Sequence, residues 1–308
     1  MQNARFVAML LVVAAATFGA ARLIDNAYVF FAGYVVLQYI VLATAWNILG
    51  GYTGYVNFGT AAFFAIGAYT TVALYKTVSL PLPVMILAGG IISGTIGLGT
   101  GYLTLRLRGT FFSIATLAMA VVVQTLITNW SFVGGSRGAY IVRPESTPLL
   151  DLDYVQYLCL LMLGLCVLAV AVARGIEHSR LGYGFAAIRD DELAAEANGV
   201  PTLKLKLIAT ALSGGFMGMA GAPLPYYVTY LDPASGFSLS YAVNTIAMPL
   251  IGGTGSWLGP IIGAVLLGTL QQVATVTISS ALSLLLVGVL LVCFVVAAPR
   301  GIIGWFSR

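Results

Sequence analysis

The residues able to do chemistry are few in this chain, and their spacing argues against catalysis. His178 is the single histidine, and no second His or Cys lies near it in sequence to complete a metal-ligand set. Cys159, Cys166 and Cys293 are odd in number and sit inside apolar runs, which implies neither a disulfide framework nor a metal site. No GxxxxGK sequence occurs, nor a GxGxxG between a strand and a helix, so the chain offers no loop to cradle a nucleotide. Two kinds of polar residue remain. Gln38, Asn47, Gln124, Asn244, Gln271 and Gln272 are amides set in apolar sequence, suited to interhelical hydrogen bonds or to lining a path for a polar solute. Between Arg174 and Lys206 stand eleven of the 25 charged or histidine residues, a concentration suited to a docking surface or a solvated linker.

The sequence that must position these residues is built for lipid. Of 308 residues 60% are hydrophobic and 8% charged, with a mean hydropathy of +0.99, against about 45–50% and 25% in soluble proteins. So few charges cannot clothe a water-facing globule, which excludes soluble enzymes and free nucleic-acid binders. The net charge of +4 is far from the dense basic patch that phosphate binding needs.

A spanning helix takes about 20 apolar residues. Uncharged runs at about 6–21, 28–49, 55–75, 84–105, 110–129, 154–173, 207–228, 239–251, 258–279 and 281–298 therefore predict an all-α polytopic membrane protein of about ten transmembrane helices. The eighth run is short and carries Pro249, which fits a half-helix or a re-entrant segment. The first has the layout of a secretory signal, with Arg5 ahead of an apolar stretch and Gly19-Ala20-Ala21 after it. It is read instead as a retained first helix, which gives an even count with both termini on one side. With cytoplasmic termini, Arg5, Arg106, Arg108, Arg174, Arg180, Arg189, Lys204, Lys206, Arg300 and Arg308 lie inside. Only Arg22, Lys76, Arg137 and Arg143 lie outside, the bias expected of a cytoplasmic face.

The chain is thus one membrane domain, residues 1–308, with two substantial loops. The outer loop, 130–153, holds Gly134-Gly135, Pro144, Pro148, Glu145, Asp151 and Asp153 and is expected to contact a partner outside. In the inner loop, 174–206, the stretch Arg189 to Gly199 reads as one short helix. Asp190, Asp191 and Glu192 favour its amino end, Ala194 and Ala195 fill its middle, and Asn198-Gly199 before Pro201 stops it. The glycines of 97–101, 214–218 and 259–263 are expected at close helix contacts.

Three stretches together resemble the permease subunits of branched-chain amino-acid ATP-binding-cassette (ABC) importers, in their LivM-like branch. One runs from Trp46-Asn47-Ile48-Leu49-Gly50-Gly51-Tyr52-Thr53-Gly54 through Asn57-Phe58-Gly59 to Tyr69. A second is Ser179-Arg180-Leu181-Gly182 followed by Ala187-Ile188-Arg189-Asp190-Asp191-Glu192-Leu193-Ala194-Ala195. The third is Leu250-Ile251-Gly252-Gly253-Thr254-Gly255-Ser256-Trp257-Leu258-Gly259-Pro260, with Pro299-Arg300-Gly301 near the end. The resemblance implies an ABC importer permease fold in a bacterial inner membrane. It implies a chain that binds no cofactor itself, with ATP used by cytoplasmic ABC ATPase subunits docked on Arg189, Asp190, Asp191, Glu192, Ala194, Ala195 and Gly199. It also implies a second homologous permease subunit, surrounding membrane lipid, no nucleic acid, and a periplasmic substrate-binding protein delivering a branched-chain amino acid, urea, a short amide or a similar solute. The sequence Ala194-Ala195-Glu196-Ala197-Asn198-Gly199 departs from relatives that carry a small residue and Met near the glycine, which leaves the docking contacts open.

An ion-driven secondary transporter is the competing reading. Proton coupling usually leaves ionisable residues in the spans, and none of the ten runs contains one; a sodium site made of carbonyls stays open. A channel or a structural subunit is a third reading. For a pathway, Asn47 with Gly50-Gly51 and Asn244 with Gly252-Gly253 stand out, since each asparagine precedes a similar glycine turn. The pairing predicts an internal repeat with polar residues on one cavity.

Overall fold

In lipid every backbone polar group must be satisfied within the chain, so apolar sequence becomes helix. The computed structural model describes residues 27–78, 80–107, 109–144, 153–277 and 301–306, together with positions 19, 285 and 288–292. The long helices are α1 (Ala27–Thr53), α2 (Thr60–Thr77), α3 (Leu82–Thr104), α4 (Thr110–Asn129) and α5 (Tyr154–Glu177). The segment after α5 forms α6 (Arg180–Asp190) and α7 (Glu192–Ala197) before α8 (Thr202–Gly221). The short α9 (Leu224–Val228) and α10 (Pro233–Gly236) lead to α11 (Leu239–Gly252), α12 (Leu258–Thr277) and α13 (Ile303–Phe306). Strands β1 (Ala139–Tyr140) and β2 (Tyr230–Leu231) pair antiparallel, Ala139 opposite Leu231 and Tyr140 opposite Tyr230.

The chain is an all-α polytopic membrane protein. Six stretches among the described residues are long and apolar enough to cross a membrane: Tyr28–Thr53, Leu82–Thr104, Thr110–Asn129, Tyr154–Glu177, Thr202–Val228 and Leu258–Val276. The expected runs at 55–75 and 239–251 are also helical, but α2 starts only at Thr60, and α11 has 14 residues. At 1.5 Å per residue α11 reaches about 21 Å, short of a hydrocarbon core about 30 Å thick. Pro249 lies inside it without ending it. The runs at 6–21 and 281–298 lie outside the described residues, apart from the isolated positions.

Helix α1 is the hub and packs against α5, α8, α11 and α12, while α3 lies along α8. Small residues permit the closest approaches. A side chain on Gly67 of α2 would land on the Gly218 carbonyl of α8, and one on Gly252 of α11 on the Gly259 carbonyl of α12. Gly97 and Gly101 face Thr210 as packing requires, whereas Gly99 looks into open space. The rim of the bundle is apolar: Phe111, Ile114, Val121, Val122 and Leu126 of α4 and Ile91 and Leu103 of α3 are all exposed. That is the surface of a protein solvated by lipid or covered by another membrane subunit.

The structure moves three boundaries read from sequence. Helix α8 begins at Thr202 and not near 207, so Lys204 and Lys206 belong to a helix and not to a loop. Helix α1 does not break at Gly50-Gly51 but continues to Thr53, and the chain turns at Gly54, where φ is +77°. The helix expected over 189–199 is two helices. Asp191 adopts an extended backbone (φ −159°) and its carboxylate accepts from the Ala194 amide, a cap that a continuous helix forbids.

Candidate functional site

The three motif stretches, far apart in sequence, meet at one end of the bundle, from which the first continues along α2 to Tyr69, packed on Phe237 toward the other end. Trp46 donates its indole N–H to the Asn57 carbonyl (2.9 Å), and Asn57 accepts from the Gly59 amide (2.7 Å), which shapes the 54–59 turn between α1 and α2. Ser179 caps α6 by accepting from the Gly182 amide (3.4 Å). The 253–257 turn after α11 is held from both sides: Asn47 donates to the Ser256 carbonyl (3.4 Å), and the Trp257 amide donates to Glu177 at the end of α5 (2.7 Å). Tyr52 donates to the same carboxylate (3.3 Å), and Arg174 lies over the Trp257 ring. Gly301 packs on Gly253, and the Ile302 amide donates to the Ile251 carbonyl (2.9 Å).

Helices α6 and α7 lie across this end. Arg189 reaches from the last turn of α6 to the Gly51 carbonyl (3.5 Å), and its side chain would meet any Cβ placed on Gly54. Asp190 closes α6 and pairs with Arg189 at 3.6 Å; with the two side chains 41% and 76% exposed, the pair contributes little to stability. Only Asp191 and Glu192, and not Asp190, stand at the amino end of α7, a correction to the single-helix reading. On α7, Leu193 and Ala194 are exposed while Ala195 is buried toward the bundle. The helix ends at Ala197 and is closed by Gly199, where φ is +82° and the amides of Gly199 and Val200 donate to the Glu196 and Ala195 carbonyls (2.9 and 3.0 Å). This paired stop needs a left-handed residue, which glycine supplies without a Cβ penalty.

Beneath α7 lies a cluster that sequence reasoning missed. Lys206, assigned from sequence to loop charge, is buried in the first turns of α8, where its ammonium donates to Glu192 (2.6 Å), the Tyr55 hydroxyl (3.1 Å) and the Leu105 carbonyl (3.1 Å). The Tyr55 hydroxyl donates to the second oxygen of Glu192. The detectable signals were Tyr55 within the first motif and a lysine placed five residues after Pro201, where a helix has room to begin. A polar cavity of about 180 Å³ opens beside the cluster, lined by Thr53, Gly54, Tyr55, Gly109, Ile188, Arg189 and Glu192.

The amides expected on a pathway are both buried but stand in different surroundings. Asn47, Gly50 and Gly51 occupy the last two turns of α1; a Cβ on Gly51 would lie 2.7 Å from the Thr254 carbonyl, so the two glycine turns touch each other. Gly252 and Gly253 end α11, with φ at Gly253 of +117°. Asn244 lies two turns earlier on α11, donating to the Tyr39 hydroxyl (3.1 Å) and accepting from Gln271 of α12 (2.9 Å).

The opposite end is built differently. Within the outer segment, Glu145 and Asp151 lie outside the described residues, and Asp153 is the residue preceding α5. The β1–β2 pair joins this segment to the stretch before α11, with the rings of Tyr140 and Tyr230 in contact at 4.6 Å. Asp232 caps α10, accepting from the amides of Ala234 and Ser235 (3.1 and 3.2 Å) and from the Ser235 hydroxyl (2.5 Å). Those bonds, the hydroxyl's first, hold its carboxyl below the usual carboxylate value.

An apolar bundle in which a charged segment closes one end and a half-length helix lies inside is a multi-pass membrane protein. The family described as branched-chain amino acid transport system, permease component, matches residues 28–295, and the chain belongs to it. It is 27% identical to the high-affinity branched-chain amino acid transport system permease protein LivM of Salmonella typhimurium, across 87% of this chain and 68% of that protein. It is 22% identical to LivH of the same organism, across 86% and 91%. Similarity extends to the probable ABC transporter permease protein y4mJ of Sinorhizobium fredii, 27% identical across 58% of this chain and 56% of that one. No solved structure matches the chain.

Proposed function

We propose that this chain is the membrane-spanning permease subunit of an ABC importer carrying a branched-chain amino acid or a similar small polar solute. The observation that supports it most is the family match across residues 28–295, which takes in the first two motif stretches and the third from Leu250 to Pro260. On this reading that end faces the cytoplasm of a bacterial cell, within the inner membrane, and α6–α7 docks on an ATPase subunit that binds and hydrolyses ATP. Arg189, Asp190, Asp191, Ala194 and Gly199 form or shape the docking surface, with Leu193 the exposed apolar contact of α7. The apolar runs 6–21 and 281–298, with α2 and α11, bring the crossings to about ten and leave both termini inside. A homologous second permease subunit covers part of the apolar rim. The opposite end, with the 130–153 segment, receives a periplasmic binding protein, and the solute passes the polar residues around Asn47, Gly51, Asn244 and Gly253.

Co-purification tests the assignment. The chain is expected to be recovered with an ATPase subunit, and uptake of labelled leucine is expected to stop when that ATPase is disabled. Leucine uptake that persists without any ATPase and follows an ion gradient would overturn it in favour of an ion-driven carrier. Competition by unlabelled urea or short amides identifies which solute class the path accepts.

A further inference from the structure

Lys206 is the one charged side chain that is buried among the described residues, 3% exposed. Its three ammonium protons meet three acceptors from three different parts of the chain: Glu192 of α7, Tyr55 of the α1–α2 turn and the carbonyl of Leu105 just past α3. The ammonium also sits 4.7 Å from the centre of the Tyr55 ring, and the Tyr55 hydroxyl takes up the remaining Glu192 oxygen. The Glu192 side chain is 12% exposed and turned into the bundle, away from the face that carries Leu193.

Stability is a weak reason for such a cluster. Desolvating two charges offsets most of their attraction, and well-packed apolar residues would serve as well. What an ion pair with fixed hydrogen bonds adds is a defined geometry: the first residue of α7 is tied at once to the start of α8, the end of α3 and the turn leading out of α1. Tyr55 is in turn one residue from Gly54, against which Arg189 packs.

We infer that Glu192, Lys206 and Tyr55 form a positioning joint, which holds the docking helix rigidly to α1, α3 and α8 so that a displacement of α7 by its partner moves all three. The inference rests on the reading of α6–α7 as the ATPase docking segment. It assigns Glu192 inward, to the bundle, and leaves the outward contacts to other residues.

The test uses the whole transporter in membrane vesicles, with ATPase association, ATP hydrolysis and labelled leucine uptake measured together. The variant Glu192→Gln with Lys206→Met removes the pair without stranding a charge. It is expected to keep its ATPase within twofold while leucine carried per ATP hydrolysed falls at least tenfold. Lys206→Arg keeps the charge and the donors and is expected to hold that ratio within threefold of wild type. A normal ratio in the neutral pair overturns the joint, and so does loss of ATPase association in a folded neutral pair, since Glu192 would then touch the ATPase itself. A tenfold fall in folded Lys206→Arg overturns the role of the charge. If the neutral pair fails to insert, Tyr55→Phe decides: a ratio lowered at least threefold supports the joint and an unchanged one overturns it. The docking reading fails separately: Leu193→Asp leaving ATPase association unchanged would remove α7 from the interface, whatever the state of the joint.

Discussion

The two ends of this bundle solve the same problem, fixing short connecting elements to long helices, by opposite means. At the end that gathers the three motifs, side chains carry the work: an ion pair under α7, Glu177 on the 253–257 turn, Asn47 across to Ser256. At the other end backbone pairing takes part, through two residue pairs of a strand ladder, beside a one-turn helix capped by Asp232 and two tyrosine rings in contact. Position matters most at the charged end. Buried charge demands one arrangement, whereas a ladder of two residue pairs, one buried and one exposed, leaves more room for adjustment. On the proposed function the charged end is a lever that must not slip, and the ladder end a surface that meets a separate partner.

Truncating one lysine at each end separates the two modes of construction. Lys206→Ala leaves Glu192 largely buried without its cation, which is expected to cost about 3–5 kcal/mol. Lys76 is exposed and donates to the Phe132 carbonyl at the opposite end (2.9 Å), so Lys76→Ala is expected to stay within about 0.5 kcal/mol. Denaturant unfolding of the purified protein in detergent measures both. Equal losses would show that the two ends are held alike.

Much of this architecture is legible in sequence, because apolar length and glycine stops are local signals. The six long spans fall where uncharged runs predict, and the Gly199 stop follows from Asn198-Gly199 ahead of Pro201. What stays hidden is long-range. Nothing local tells that Lys206 points inward, because its partners lie 14, 101 and 151 residues away. The similar strings Leu49 to Gly54 and Ile251 to Gly255 look like equivalent turns, yet α1 runs through its glycines and α11 stops at them. In α1 the missing Cβ at Gly51 makes room for the Thr254 carbonyl and not for a turn. Likewise the acidic run 190–192 reads as one helix start, although the capping preference of Asp191 splits it in two.

A smaller change sharpens the picture at the charged end. Gly199 stands at φ +82° with open space around it, so its tolerance is limited by backbone conformation alone. Gly199→Val is expected to cost about 1–2 kcal/mol, since a β-branched residue resists the left-handed region. Hydrogen exchange at residues 192–200 measures this, with faster exchange there and little change in α5 or α12. Faster exchange throughout the bundle would mean that the stop supports the whole fold and not α7 alone.

The cap at the ladder end contributes less than the Gly199 stop and carries a pH dependence of known sign. Asp232 accepts three hydrogen bonds, from the Ser235 hydroxyl and from two amides, and these hold its carboxyl below the ordinary value. A carboxyl lowered in the folded state stabilises the fold above its unfolded value of about 3.9, and the contribution is lost as pH falls through the lower folded value. The cap is therefore fully present at neutral pH, and no change is expected between pH 8 and pH 5. Asp232→Ala is expected to cost about 1 kcal/mol, the usual worth of an amino-terminal cap. The loss should appear as faster exchange in residues 230–238 and leave the 189–206 segment untouched. A carboxyl-carbon titration of Asp232 in detergent tests the sign directly, and a midpoint at or above the ordinary aspartate value would show that the cap does not form. Were Asp232→Ala also to loosen α7, the two ends would be mechanically continuous through α11, and their contrast in construction would not amount to independence.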